Sequence, residues 1–292
     1  MLASAEAADM LAMLAAPATL VTVCAVIGLM IGSFLNVVIH RMPKMMEHQW
    51  RVECAEWKGE PAPPAEKYNL VTPRSRCPSC SRKIRALENI PLLSFAVLGG
   101  KCAGCGKPIS WRYPAVEALT ALLSGFVAWR FGVTPQAAAA LFFTWTMIAL
   151  AFIDLDTFFL PDDLTFPLLW AGLLVNIDGI YTDLESAVVG AAAGYLVLWT
   201  VFWAYKLATG KEGMGYGDFK LLAAIGAWLG WKMLPLVILL SSVVGAIIGI
   251  ALIVLARRGR NVPIPFGPYL AIAGLVALFY GDAITRHYLD LL

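Results

Sequence analysis

Residues 233–256 read MLPLVILLSSVVGAIIGIALIVLA: from Met233 to Ala256 there is no charged side chain, and Lys232 and Arg257 bound the run. A bilayer core about 30 Å thick needs about 20 consecutive apolar residues in helical form to cross it. The stretch therefore reads as a membrane span. Working outward from it, comparable stretches fall at 18–39, 114–131, 135–153, 161–177, 186–207, 219–231 and 264–281. The short one is 219–231, caught between Asp218 and Lys232, and a re-entrant segment is its alternative reading. The expected fold class is thus an all-α polytopic membrane protein with about eight transmembrane helices.

Composition agrees. Of 292 residues, 60% are hydrophobic and 14% charged, against about 45–50% and about 25% in soluble domains. So little charge cannot solvate the surface of a soluble protein of this length, which disfavours a soluble enzyme, a disordered chain or a nucleic-acid-binding module. The net charge of +2 hides an asymmetry: residues 41–112 carry 13 Lys/Arg and 6 Asp/Glu, and the rest of the chain 9 and 14. One basic, water-facing module is set in an apolar chain, with anionic lipid headgroups as a natural neighbour.

Arg41 and Lys44 follow the first span, and Lys107 and Arg112 precede the second. Positive charge beside a span marks the cytoplasmic side, so the long loop is expected there. With eight spans, later cytoplasmic turns fall near 154–160, 208–218 and 257–263, and take up Lys211, Arg257, Arg258 and Arg260. If 219–231 did not cross, those three arginines would lie outside, which favours eight. Glu6 and Asp9 precede the first span and no Lys or Arg does, which fits an uncleaved first helix with its N-terminus outside. The expected divisions are an N-terminal segment with the first span (1–40), a cytoplasmic module (41–112) and a seven-helix membrane domain (113–292). Pro61, Pro63 and Pro64 mark a turn or linker inside the module. No convincing internal repeat is visible.

Cys24 and Cys54 are isolated, whereas Cys77-x2-Cys80 and Cys102-x2-Cys105 form two equally spaced pairs inside the basic module. Two such knuckles can surround one tetrahedral metal with four thiolates. Thiols stay reduced on the cytoplasmic side, which disfavours disulfides. A closed four-thiolate site leaves no open coordination position, so a zinc ion there is expected to be structural. Arg74, Arg76, Arg82, Lys83, Arg85, Lys101 and Lys107 would offset its net negative charge.

Carboxylates beside membrane spans call for a functional hypothesis. Asp154 and Asp156 end the third span, Asp162 and Asp163 open the fourth, and Asp218 opens the sixth after Gly213, Gly215 and Gly217. The predicted topology puts all of them at one membrane edge. Two carboxylates brought close cannot both ionise easily, which leaves one as base and one as acid. Asp162 and Asp163 follow Pro161 and read first as helix-start residues, and Asp156 as a solvated turn. Asp154 and Asp218 are harder to excuse. The glycines before Asp218 are expected to let the backbone bend and approach a substrate strand. Asn36 and His40 either orient the site or satisfy backbone or lipid contacts. A membrane transferase with aspartate-bound Mg²⁺ and a proton-coupled carrier are the rival readings. The first lacks a cluster of Arg/Lys beside the acids to hold a diphosphate, and Asp218 lies on a glycine-rich turn; the second expects acids near the midplane.

Several motifs occur in order: Gly32-Ser33-Phe34-Leu35-Asn36 with His40-Arg41-x-Pro43, the two knuckles, Asp154 followed by Leu160-Pro161-Asp162, Gly215-Tyr216-Gly217-Asp218, and Pro263-Ile264-Pro265-Phe266-Gly267-Pro268. Together they resemble the bacterial type IV prepilin leader peptidase and N-methyltransferase family, a GxGD-type group of intramembrane aspartyl proteases. The likeness runs from about residue 18 to about 288. It implies a bifunctional enzyme of the bacterial inner membrane. Such an enzyme cuts the basic leader from type IV prepilins and type II secretion pseudopilins at the cytoplasmic face. It then methylates the new N-terminus with S-adenosylmethionine. The resemblance implies Asp154 and Asp218 as the catalytic pair, Cys77, Cys80, Cys102 and Cys105 as zinc ligands, and Gly100 and Lys101 as residues linked to methyl transfer. No G-x-G-x-x-G signature accompanies the cofactor.

Overall fold

The computed structural model describes residues 16–61, 64, 68–254 and 264–289. Glu6, Asp9, Pro63, Arg257, Arg258, Arg260 and Pro263 lie outside them, and so do the topology arguments drawn from those charges. Within the described residues the chain is helical, and two isolated β-bridges are the only extended pairing. It forms two compact units, Met1–Ala137 and Ala138–Leu292.

The first unit is built on α1 (Pro17–Lys58) and α3 (Arg112–Phe131). Helix α1 runs for 42 residues, about 63 Å at a rise of about 1.5 Å per residue, twice what a bilayer core requires. The expected span ended at residue 39; the helix continues because local pairs support its polar half. Arg51 bonds Glu47 at 2.6 Å and Gln49 bonds Glu53 at 3.0 Å. It stops at Gly59, whose left-handed φ of 69° suits glycine and lets its N–H cap the Ala55 and Glu56 carbonyls. Pro43 is accommodated inside the helix. Where α1 meets α3, a Cβ on Gly28 would fall 2.8 Å from the Ala121 Cα, and one on Gly32 2.7 Å from the Glu117 Cα. This is the close approach that a small-x3-small pattern permits between membrane helices. Between α1 and α3 lie the two cysteine knuckles, a single 3₁₀ turn (Ala86–Asn89) and the short α2 (Leu93–Val97).

The second unit takes in all but the first three residues of α4 (Pro135–Thr157), with α5 (Asp162–Val175), α6 (Leu184–Thr209), α7 (Tyr216–Leu229), α8 (Leu234–Val254) and α9 (Gly267–Leu289). Helix α7 is its centre: Phe219, Leu221 and Leu222 are buried, as is every residue from Ala223 to Leu229, and α5, α6 and α9 pack on it. It comes so close to α6 that a Cβ on Gly190 or Gly226 would strike the other glycine's carbonyl. Its C-terminal end is tied by Asn176, which donates to the Ala227 and Trp228 carbonyls at 2.9 Å and accepts from Tyr181 and Thr182. The Trp228 indole donates to the Leu168 carbonyl at 2.7 Å.

Among the described residues a helix covers most of each of the eight expected stretches, and five helices are long and apolar enough to cross a membrane by themselves: those at Pro17–Lys58, Pro135–Thr157, Leu184–Thr209, Trp231–Leu252 and Gly267–His287. The protein is an all-helical, multi-pass membrane protein. Helices α5 and α7 have 14 residues each, about 21 Å, too short to span alone. A helix enclosed by others as α7 is needs no lipid-facing length of its own, since its polar ends can be met by protein.

Candidate active site

Asp154 lies in the last turn of α4 and Asp218 in the first turn of α7. Their relative exposures are 5% and 6%. Neither forms an ion pair among the described residues. A buried acid without a cationic partner is expensive, and here two lie close enough to interact electrostatically. Each is held by one glycine N–H: Gly267 donates to the Asp154 Oδ2 at 2.9 Å, and Gly215 to the Asp218 Oδ2 at 3.2 Å. Among the described residues, the other oxygen of each carboxylate, Oδ1, accepts no hydrogen bond from the protein. Leu160 packs between the two supports. A Cβ on Gly217 would lie 2.7 Å from the Leu160 Cβ, and one on Gly267 3.2 Å from the Leu160 Cδ2.

The glycines before Asp218 act differently from what the sequence implies. Gly213, Gly215 and Gly217 all lack the positive φ that only glycine tolerates well. Gly217 instead makes room for Leu160, and Gly213 for the Tyr205 ring, which a Cβ would approach to 2.9 Å. Close packing explains these two.

The remaining acids separate. Asp162 sits in the first turn of α5 but caps no backbone group with its side chain; Lys220 of α7 grips both its oxygens at 2.6 and 2.8 Å. The Lys220 ammonium also lies 5.2 Å from the Phe166 ring centre. This pair ties the start of α5 to the turn of α7 that follows Asp218, and sequence spacing gave no sign of it. Asp156 and Asp163 are exposed. Among the described residues, no three of these acids come together as a cluster of metal ligands. An apolar groove of about 440 Å³ borders this region. Its lining includes Met214, next to Gly215, and Phe266, next to Gly267, as well as Val201, Ile238 and Gly245.

In the first unit, the four cysteine Sγ atoms lie within 4.8 Å of one another, with Cys77 and Cys105 at 3.9 Å. Thiolates about 2.3 Å from a tetrahedral zinc ion would sit about 3.8 Å apart, so the cluster fits such an ion. The knuckles are two copies of one fold, a correction to the repeat-free reading. Cys77 N–H bonds the Arg82 carbonyl at 3.0 Å and Cys102 N–H the Lys107 carbonyl at 2.9 Å. Ser81 and Gly106 bond back to their first cysteines at 2.9 Å, and Ile84 and Ile109 close the turns onto Ser75 and Gly100. Bridges join Arg76 to Lys83 and Lys101 to Pro108. The signal was RCPSCSRKI at 76–84 against KCAGCGKPI at 101–109, too short to register as a repeat without its hydrogen bonds. The backbone N–H groups of Gly104 and Cys105 lower the Cys102 thiol to about 6, which favours the metal-binding thiolate.

Gly100 and Lys101 belong to the second copy. Gly100, at φ 69°, lies under the Phe95 ring, which a Cβ would meet at 3.0 Å, and its carbonyl accepts from Ile109 at 2.7 Å. Asn36 donates to the Tyr113 carbonyl at 3.1 Å, serving the start of α3. Arg41 is buried and donates to the Asn69, Leu70 and Pro73 carbonyls.

A multi-pass helical membrane protein with two buried acids on adjoining helices and a separate four-thiol cluster defines a narrow class. Residues 26–131 match the bacterial peptidase A24 N-terminal domain, and residues 141–250 match the type IV leader peptidase family. The chain belongs to the type IV leader peptidase family. It is 57% identical over 275 residues, 94% of this chain and 95% of the relative, to the prepilin leader peptidase/N-methyltransferase of Pseudomonas aeruginosa. Proteins of the same name from Aeromonas hydrophila (60% over 267 residues; 90% and 91%) and Burkholderia pseudomallei (49% over 260 residues; 88% and 84%) are also similar. No solved structure matches the chain.

Proposed function

We propose that this chain is a bifunctional enzyme of the bacterial inner membrane that removes the leader from type IV prepilins and type II secretion pseudopilins and then methylates the new N-terminus. The observation that carries the peptidase half is the pair Asp154 and Asp218: buried, without cations, and each fixed by one glycine N–H. One carboxylate acts as base and takes a proton from water as the water oxygen attacks the scissile carbonyl. The other, protonated, donates to the carbonyl oxygen. When the C–N bond breaks, the leaving amine takes up a proton from the pair, the collapsing gem-diol returns a hydroxyl proton to it, and the two groups again share one. No covalent intermediate is required.

The substrate is a hydrophobic helix with a basic leader, cut where the helix meets water. The groove beginning at Met214 and Phe266 offers an apolar wall beside the neighbours of Gly215 and Gly267. The active site then faces the cytoplasm, with the chain's N-terminus outside. In this reading residues 1–40 supply the first span, 41–112 the methyltransferase-associated module and 113–292 the peptidase. Cys77, Cys80, Cys102 and Cys105 hold a structural zinc ion, which gives folding energy to a module with few apolar residues. The methyl donor is S-adenosylmethionine, which when bound supplies an electrophilic methyl carbon to the freed amine. Gly100 and Lys101 support methyl transfer.

The test is cleavage of a purified prepilin by purified enzyme. Asp154→Asn and Asp218→Asn are each expected to abolish cleavage while expression and membrane insertion stay at parental levels. Retained cleavage in either variant would refute the dyad.

A further inference from the structure

The first unit encloses a cavity of about 570 Å³ that the cleavage chemistry does not use. That volume lies in the range of small-molecule sites, about 300–1,000 Å³. One wall is a face of α1 carrying Ser33, Asn36 and His40; another is the start of α3 with Tyr113 and Glu117. The remaining wall is made by the two knuckles, including Cys77 and Cys102, and by Phe95 of α2.

Its chemistry is two-signed. Six cationic side chains line it against two carboxylates. Of the cations, Arg41 is committed to backbone carbonyls and Arg82 to Glu88 at 2.6 Å. Arg74, Arg76, Lys83 and Lys107 make no ion pair among the described residues. Of the acids, Glu88 is taken by Arg82 and the Arg85 N–H. Glu117 differs: 9% exposed and without a cation, it accepts the Leu92 N–H at 2.9 Å and a bond from Ser33. A carboxylate so placed wants a positive ligand group, whereas the four cations at the rim want a negative one. Phe95, Tyr68 and Tyr113 add aromatic surface.

We propose that this cavity is the methyl-donor site and that Glu117 faces the sulfonium of S-adenosylmethionine, with the rim cations toward its carboxylate. The assignment rests on the methyltransferase reading and gives it a place and named residues. S-adenosylmethionine carries a sulfonium, a carboxylate and a flat adenine, and the lining offers a carboxylate, cations and aromatic rings to meet them. Gly100 and Lys101 do not line the cavity. They shape it from behind: Gly100 supports Phe95 and closes the second knuckle, while Lys101 bridges to Pro108, itself in the wall. They are positioning residues.

The experiment is calorimetric titration of the detergent-solubilised full chain with S-adenosylmethionine and with S-adenosylhomocysteine, whose sulfur is neutral. Val37→Trp, from the α1 wall, and Ser94→Trp, from α2, fill the cavity from two different walls. Each is expected to weaken S-adenosylmethionine binding at least tenfold while prepilin cleavage and zinc content stay at parental levels. Glu117→Gln should weaken S-adenosylmethionine about tenfold and S-adenosylhomocysteine about twofold or less, a split that a merely structural role would not produce. Parental affinity in both tryptophan variants, or equal loss of the two ligands in Glu117→Gln, would overturn the site while leaving the methyltransferase reading intact. Failure of the unaltered protein to bind either ligand or to methylate cleaved pilin would overturn the reading, and the site with it.

Discussion

Gly267→Ala offers a sharp test of how Asp154 is held. Gly267 has no positive φ, so alanine's backbone is unstrained there. The added Cβ, however, would lie 2.7 Å from the Asp154 Oδ2 and 3.1 Å from its Cγ. Ordinary contact begins near 3.4 Å, so the carboxylate must retreat by 3.4 − 2.7 = 0.7 Å. The obstacle is the end of a side chain with free torsions, so the helices need not separate and folding should survive. Displacement of about 1 Å in a reacting group costs on the order of 100-fold in rate, so the expected loss in kcat for prepilin cleavage is about 10- to 100-fold. KM should hold, because nothing in the apolar groove changes. The assay is a cleavage time course at saturating prepilin, with thermal unfolding as the fold control. Gly215→Ala serves as comparison: its Cβ would meet nothing closer than 3.9 Å, and activity within about threefold of the parent is expected. Parental kcat in Gly267→Ala would refute the idea that this N–H contact sets the working position of Asp154.

Gly217→Ala, whose Cβ would sit 2.7 Å from the Leu160 Cβ, should lose both activity and stability, because a Cβ cannot swing away; circular dichroism melting checks this. Lys220→Met should lower cleavage about tenfold, and Asp162→Asn added to it should cost little more, since both act through one pair; a double-mutant cycle on kcat/KM decides. Cys77→Ser should deplete zinc, read by metal analysis, and impair methylation before proteolysis; equal zinc in variant and parent would refute the metal assignment. Chelation of the parental enzyme should likewise abolish S-adenosylmethionine binding before cleavage, because the knuckles form a wall of the donor cavity.

Sequence alone determined the helical membrane class, because uncharged runs of span length admit few other structures. It also gave the four thiols, since equal C-x2-C spacing fixes knuckle geometry locally, and it singled out Asp154 and Asp218 as acids too costly to be idle. What it missed depends on distance along the chain or on hydrogen bonds. The continuation of α1 to Lys58 escaped because the span ends where apolarity ends, whereas a helix ends where its backbone is capped. The knuckle repeat lay in a nine-residue likeness that only matched hydrogen bonds make plain. Gly267 reaches Asp154 across 113 positions and Lys220 reaches Asp162 across 58, and no periodicity encodes such meetings. The two cavities are likewise properties of packed walls, drawn from segments that are remote in the chain. Local chemistry is written residue by residue; the supports of the two acids and the enclosure above Glu117 exist only once helices pack, because packing selects which distant groups share a space.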